Sequence, residues 1–152
     1  VTTSMAGTVF TKEATAADAG ATVSVTVPTY MRGNLVISAY RGADLAGATI
    51  AMDPESVSRA AHTTPELPAS PGDWVVSFWG DKTAATSAWT APSGLAVRQT
   101  GAGTGAGHLS WLLGDSDGPI TGTTAGGLVA TANSSTANAV MATLVLAPAI
   151  ED

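Results

Sequence analysis

Apolar residues recur at every second position along much of this chain, and this period restricts the fold more than any other feature. Residues 73–81 read DWVVSFWGD, which places Trp74 and Trp79 on opposite faces of an extended strand. The same alternation appears in six further runs: ATVSVTVP, NLVISAY, LAVRQT, HLSWLLGD, GLVATA and AVMATLVLAP. A period of two is typical of half-buried β-strands, and the β-branched and aromatic residues in these runs favour the same structure.

Turn signals such as SPGD, APSG and GDSDGP separate the apolar runs. Roughly eight to ten short strands with frequent turns are typical of a sandwich. We therefore predict an all-β fold, an antiparallel β-sandwich of jelly-roll or immunoglobulin-like type. Residues 1–152 are predicted to form a single domain, either complete or the C-terminal part of a longer chain. The one candidate helix is 53–62, where Asp53 offers a cap and Pro54 a first-turn proline, and the alternative is an irregular crossover between sheets.

The charge pattern argues against nucleic acid and anionic membranes as partners. The chain has 12 acidic and 6 basic residues, a net charge of −6, and its basic residues are scattered singly. Phosphate backbones are bound by clusters of Lys and Arg. No apolar run approaches the ~18 residues of a transmembrane helix. The absence of cysteine from the sequence excludes disulfides and thiolate metal sites.

The run TGAGTGAGHLSW, residues 100–111, contains a loose G-x-G-x-x-G/A string. In a dinucleotide site the glycines open a helix whose N-terminus holds the pyrophosphate. Here the residues after Gly107 provide less than two helical turns before Asp115, Asp117 and Gly118. The string therefore predicts a hairpin loop between two strands, and no cofactor is expected.

Hydrolytic chemistry has weak support in the sequence. His62 and His108 are the only histidines, and no G-x-S-x-G nucleophile elbow is present. His62 lies in a Thr-rich stretch and is expected to be solvated. His108 is expected to be a surface or edge residue at the start of a strand. We assign no catalytic residue and predict a protein that is not an enzyme.

Asp115 and Asp117 are the weak candidates for a metal site. The favoured interpretation is a β-turn in which an Asp accepts backbone N–H bonds and Gly118 supplies a positive φ. The alternative is a weak calcium site completed by backbone carbonyls. No resident metal is therefore predicted.

Trp79 is the candidate for ligand contact, because exposed tryptophans can stack on sugar rings. Ser77 and Asp81 flank it on its own strand face, so we expect that face to be solvated. The alternative is that Trp79 packs in the core.

Several segments resemble a β-sandwich module of actinobacterial phage virion proteins and of exported multimodular actinobacterial proteins. They are AADAG, SAYRG, SFWGDK, WTAPSG and GGLVATA, and the resemblance covers nearly the whole chain. It implies a virion or an extracellular, cell-surface location. None of the shared segments is catalytic.

The modules it resembles carry extra strands before the TKEATAADAG region. Those strands are expected to come from another segment or a neighbouring subunit, unless this is a shortened, self-sufficient version. A shortened sandwich exposes a sheet edge, which a partner chain can cover by strand addition. The expected function is a non-enzymatic virion component, a capsid decoration or tail-attached domain that docks on other subunits or on further copies of itself. The alternative is an exported carbohydrate-binding or adhesion module that binds polysaccharide.

Overall fold

The computed structural model describes residues 5–28 and 30–149, and its regular structure is almost entirely β. Its ten strands are β1 (Ala43–Glu55), β2 (Arg59–Thr63), β3 (Leu67–Pro68), β4 (Trp74–Lys82), β5 (Trp89–Thr90), β6 (Ala96–Ala102), β7 (Leu109–Asp115), β8 (Thr124–Ala125), β9 (Val129–Thr136) and β10 (Ala139–Pro148). Within the described residues, the one helical element is a 3₁₀ turn, Ala16–Asp18.

The strands form three antiparallel sheets. The largest has five strands in the order β1-β10-β4-β7-β6, the second has the order β2-β9-β5, and the third pairs β3 with β8. All seven strand pairings are antiparallel. The predicted all-β, antiparallel sandwich is therefore confirmed.

The inner face of the five-stranded sheet packs against the two smaller sheets. Trp79 of β4 and Leu112 of β7 form one cluster with Met141 of β10 and Ala130 of β9. A second cluster joins β4 and β10 to β8, through Val75, Val145 and Ala125 respectively. Alternation along β4 explains this, because residues 75, 77 and 79 all point toward the inner layer.

The outer face of the five-stranded sheet is also apolar. Val76, Leu113 and Leu146 are buried there, and Val36 and Tyr40 pack against them. Trp74 belongs to this outer cluster, so Trp74 and Trp79 lie on opposite faces as the sequence predicts. We call residues 5–28 and 30–42 the N-terminal arm; it supplies the partial cover of this face.

The arm corrects two strand predictions. Residues 21–27 and 34–40 alternate as strands do but form no regular strand. A strand needs a neighbour for its backbone hydrogen bonds, and no described segment forms a ladder with either stretch. Segment 32–40 instead runs beside β6, held by single bonds: Gln99 Nε2 donates to the Ile37 carbonyl at 2.6 Å, and Arg32 Nη1 donates to the Ala106 carbonyl.

The candidate helix at 53–62 does not form. Asp53, Pro54 and Glu55 end β1, where they pair with β10, and β2 begins at Arg59 in a different sheet. A proline is tolerated because β1 is an edge strand, where one row of N–H groups needs no ladder partner. Residues 53–62 therefore connect the five-stranded sheet to the three-stranded sheet, in agreement with the alternative interpretation, a crossover between sheets.

The glycine string forms the predicted hairpin loop. It connects β6 to β7, which pair directly. Gly105 and Gly107 adopt positive φ angles of 85° and 62°, which the turn requires. Gly101 lies within β6, and its missing side chain leaves room for the Trp111 ring.

Candidate functional site

Trp79, the predicted ligand contact, is fully buried, so the prediction that it is exposed is wrong. Its indole Nε1 donates to the His62 carbonyl at 3.0 Å across the sandwich. The flanking polar residues misled the prediction, because Ser77 and Asp81 are fully buried too. Trp79 is a core residue that links the two larger sheets.

Buried hydroxyl groups surround Asp81 and explain why a carboxylate can lie in the core. Thr86 Oγ1 and Ser110 Oγ each donate to Asp81 at 2.5 Å. Trp89 Nε1 donates to Ser110 Oγ at 2.8 Å, which extends the chain of hydrogen bonds to β5. Buried polar groups need such partners, so this network supports the sandwich from within.

The two histidines lie in opposite environments, and neither hydrogen-bonds a Ser or Thr hydroxyl of residues 5–28 or 30–149. His62 is fully buried, its ring lies 5.7 Å from that of Trp89, and neither of its ring nitrogens has a hydrogen-bond partner in this part of the chain. The expectation that His62 is solvated is wrong, and burial lowers its pKa. His108 lies half-buried just before β7. Hydrogen bonds to the Thr86 and Gly105 carbonyls, at 2.7 and 2.9 Å, raise its pKa.

Asp115 and Asp117 form the predicted turn. The Asp117 N–H donates to Asp115 Oδ1 at 2.9 Å, and Gly118 has φ of 151°. Both carboxylates also hold Arg98, whose Nε and Nη2 bind Asp115 at 2.7 and 2.8 Å and whose Nη2 binds Asp117 at 2.8 Å. Among residues 5–28 and 30–149, no group of three or more His, Cys, Asp or Glu side chains is arranged to hold a metal ion.

Asp115 positions two neighbours as well as the turn. Its Oδ2 accepts from Tyr40 Oη at 3.1 Å in addition to Arg98. Burial alone would raise the pKa of Asp115, but Arg98, the Asp117 N–H and Tyr40 together hold it below its usual value. Burial, followed by the Asp115 charge, raises the pKa of Tyr40 to about 12. Tyr40 is therefore a neutral donor fixed by an ionised carboxylate.

A groove of about 400 Å³ opens beside this cluster. It lies where residues 38–43 cross the end of the five-stranded sheet, next to the start of β4 and the end of β10. Tyr40 and Trp74 line it with their rings 6.0 Å apart and inclined by 58°, and Arg41 and Arg98 line it as well. Sequence reasoning missed this site because its residues come from five separate segments. The sequence did contain one signal for it, since the alternation along β4 places Trp74 on the sheet face opposite to that of Trp79.

The N-terminal arm carries most of the large apolar side chains that are exposed in the described part of the chain. Nine of the fourteen large apolar side chains that are exposed among the described residues belong to it: Val9, Phe10, Val23, Val25, Val27, Tyr30, Met31, Leu35 and Ile37. Scattered single apolar residues are normal on a surface, whereas these nine are concentrated in one segment.

Comparison of the chain with models of protein families, with curated proteins and with solved structures finds no match. In the described part of the chain, no helix has the length and apolar character to cross a bilayer.

Proposed function

We propose that this protein is a non-enzymatic structural module of a symmetric protein assembly, most specifically a component of a bacteriophage virion. In that role it is a capsid decoration or tail-attached domain. The observation that carries the proposal is the N-terminal arm, whose alternating apolar side chains remain exposed. The resemblance of the AADAG, SAYRG and SFWGDK segments to modules of virion proteins supports the same class.

Residues 22–27 are the part of the arm best suited to a neighbouring subunit. Val23, Val25 and Val27 are 58, 45 and 47 % exposed and share one face of the extended segment. An unpaired segment with this pattern can add to a sheet edge, where main-chain hydrogen bonds give affinity and alternate side chains give register. The arm has 37 described residues, more than the roughly 20–30 per side of a standard interface, so it is long enough to supply one.

The test compares two triple variants. In the arm variant, Val23, Val25 and Val27 are each replaced by serine. In the control, Val57, Val97 and Val129, which are 54, 47 and 46 % exposed outside the arm, are replaced in the same way. Light scattering after gel filtration and negative-stain electron microscopy follow assembly from micromolar to millimolar concentration.

We expect the unmodified protein and the control to assemble and the arm variant to remain monomeric. The proposal is overturned if the unmodified protein stays monomeric throughout this range. It is also overturned if both variants assemble equally, because the arm would then contribute nothing.

The second candidate function is an exported carbohydrate-binding or adhesion module. The groove between Tyr40 and Trp74 favours it, since two aromatic rings at a concave surface can pack against a sugar ring. This candidate places the contact at Trp74 rather than at Trp79. Binding of soluble oligosaccharides by the unmodified protein tests it, and failure to bind any of them excludes it.

A further inference from the structure

We infer that the groove lined by Tyr40, Trp74, Arg41 and Arg98 is a binding site for an acidic sugar, a hexopyranose that carries a carboxylate. The inference rests on the second candidate function and does not depend on assembly through residues 22–27. It names a ligand class and the residues that select it.

The volume and the walls of the groove suit one or two sugar rings. A volume of about 400 Å³ falls within the range of ligand sites, about 300–1,000 Å³. Tyr40 and Trp74 are half-buried, so their positions are fixed by packing while part of each ring stays accessible. The inclination of 58° between the rings makes a corner rather than a flat platform, which favours a ligand that enters the groove.

Arg98 has donors left for a ligand. Its Nε and Nη2 are occupied by Asp115 and Asp117, but Nη1 bonds to no described residue. Its side chain is 40 % exposed, so this nitrogen is not sealed in the core. The carboxylate of Asp115, by contrast, is saturated: it accepts from Arg98 twice, from Tyr40 and from the Asp117 N–H. Asp115 therefore holds Arg98 and Tyr40 in position, and Nη1 of Arg98 can donate hydrogen bonds to a ligand.

Two guanidinium groups, Arg41 and Arg98, line the groove and suit an anionic ligand. Asp115 also lines it, and Asp117 lies 2.8 Å from Arg98 Nη2, so these four charges together are neutral. At physiological salt, charges more than about 8 Å away are largely screened, so the net charge of −6 on the whole chain does not prevent a carboxylate from binding the two guanidinium groups. Guanidinium groups bind carboxylates through charge-assisted hydrogen bonds, and an aromatic corner beside them favours a sugar over a small inorganic anion.

The test uses two matched probes in calorimetric titrations. Tetragalacturonate carries a carboxylate on each ring, and its fully methyl-esterified form keeps the rings and hydroxyls but is uncharged. We expect the acid to bind about tenfold more tightly than the ester, the difference of one charge-assisted hydrogen bond.

Three variants locate the binding. Arg41→Gln removes an exposed charge at the groove, and Arg59→Gln removes the same charge from β2, away from it. Trp74→Leu keeps apolar volume but removes the ring. We expect Arg41→Gln and Trp74→Leu each to weaken binding of the acid about tenfold and Arg59→Gln to leave it unchanged. Thermal unfolding checks that each variant is folded. If Trp74→Leu does not fold, Arg41→Gln still tests whether the ligand binds in the groove.

Each outcome decides a separate claim. Equal binding of acid and ester overturns the acidic class while carbohydrate binding stands. Binding that Arg41→Gln and a folded Trp74→Leu leave unchanged overturns the groove as its site. No binding of either probe overturns the inference, and failure of a wider panel of neutral oligosaccharides as well excludes the carbohydrate function.

Discussion

At the scale of single residues, His62 makes the stability of the fold depend on pH. Its burial lowers its pKa, so the folded state binds fewer protons than the unfolded state once the pH falls below the ordinary value of about 6.5. Its contribution to stability is therefore fully present above that pH and is lost as the pH falls.

His108 acts in the opposite direction. Its two carbonyl partners raise its pKa, so its contribution is fully present below about pH 6.5 and is lost as the pH rises through its folded-state value. We expect His62→Leu, which leaves only His108, to become less stable as the pH rises from about 5 to 8, and His108→Gln to become more stable over the same range. Urea unfolding at a series of pH values measures both slopes. Equal slopes in the two variants would contradict the assignment.

Arg98 should be far more important for stability than its exposed partner Asp117. The Asp115 side chain is 2 % exposed, so Arg98→Met leaves a buried carboxylate without its main counter-charge. We expect Arg98→Met to destabilise the fold, because the carboxylate that it leaves behind is buried and unbalanced. Asp117 is 72 % exposed, and Asp117→Asn should cost less than about 1 kcal/mol. Denaturant unfolding of both variants checks this, and equal losses would contradict it.

Residue patterns predicted the turn at Asp115 and the opposite faces of Trp74 and Trp79, because both depend on local geometry. They failed for Trp79 and His62. Ser77 and Asp81 suggest a solvated face, yet hydroxyls from Thr86 and Ser110 satisfy Asp81 inside the core. Ser110 comes from β7 and Thr86 from the loop that follows β4, and the two-residue period of β4 predicts neither contact.

At the scale of elements, the turn between β8 and β9 is the least tolerant of an added side chain. Gly126 has φ of 90°, and a Cβ there would lie 2.0 Å from the Pro65 carbonyl oxygen. We expect Gly126→Ala to destabilise the fold by at least about 3 kcal/mol, since strain and a backbone clash combine.

Gly122→Ala is the matched control, because its Cβ would meet nothing closer than 3.8 Å. It should change stability by no more than about 0.5 kcal/mol. Thermal unfolding of both variants measures the difference, and a mild effect of Gly126→Ala would show that the turn can relax.

The strands that alternate strongly and find a partner were predicted from sequence: β4, β6, β7, β9 and β10. The thirteen-residue β1 was missed, because it contains Gly47 and Pro54 and a register shift between Asp44 and Thr49. Its pairing with β10 overrides weak local propensity. The strand predictions for 21–27 and 34–40 were wrong for the converse reason. Both stretches alternate as strands do, but no neighbouring strand pairs with their backbone.

At the scale of the whole molecule, assembly should change the secondary structure. Residues 22–27 belong to no strand in the single chain, so their amides should exchange rapidly with solvent in dilute solution. We expect them to become protected as concentration rises and the segment adds to a neighbour. Hydrogen exchange followed by mass spectrometry measures this, with β4 as the protected reference. Protection that does not change with concentration would contradict addition to another copy.

The position of β10 in the five-stranded sheet has a consequence for biosynthesis. It is the last of the ten strands to leave the ribosome, yet it lies between β1 and β4 and is the only strand that joins them. Until β10 emerges, β1, the earliest and longest of the ten strands, has no strand to pair with in this sheet, and the five-stranded sheet stays incomplete. Contacts between distant parts of a sequence form slowly, so the five-stranded sheet should close late, after β10 has emerged.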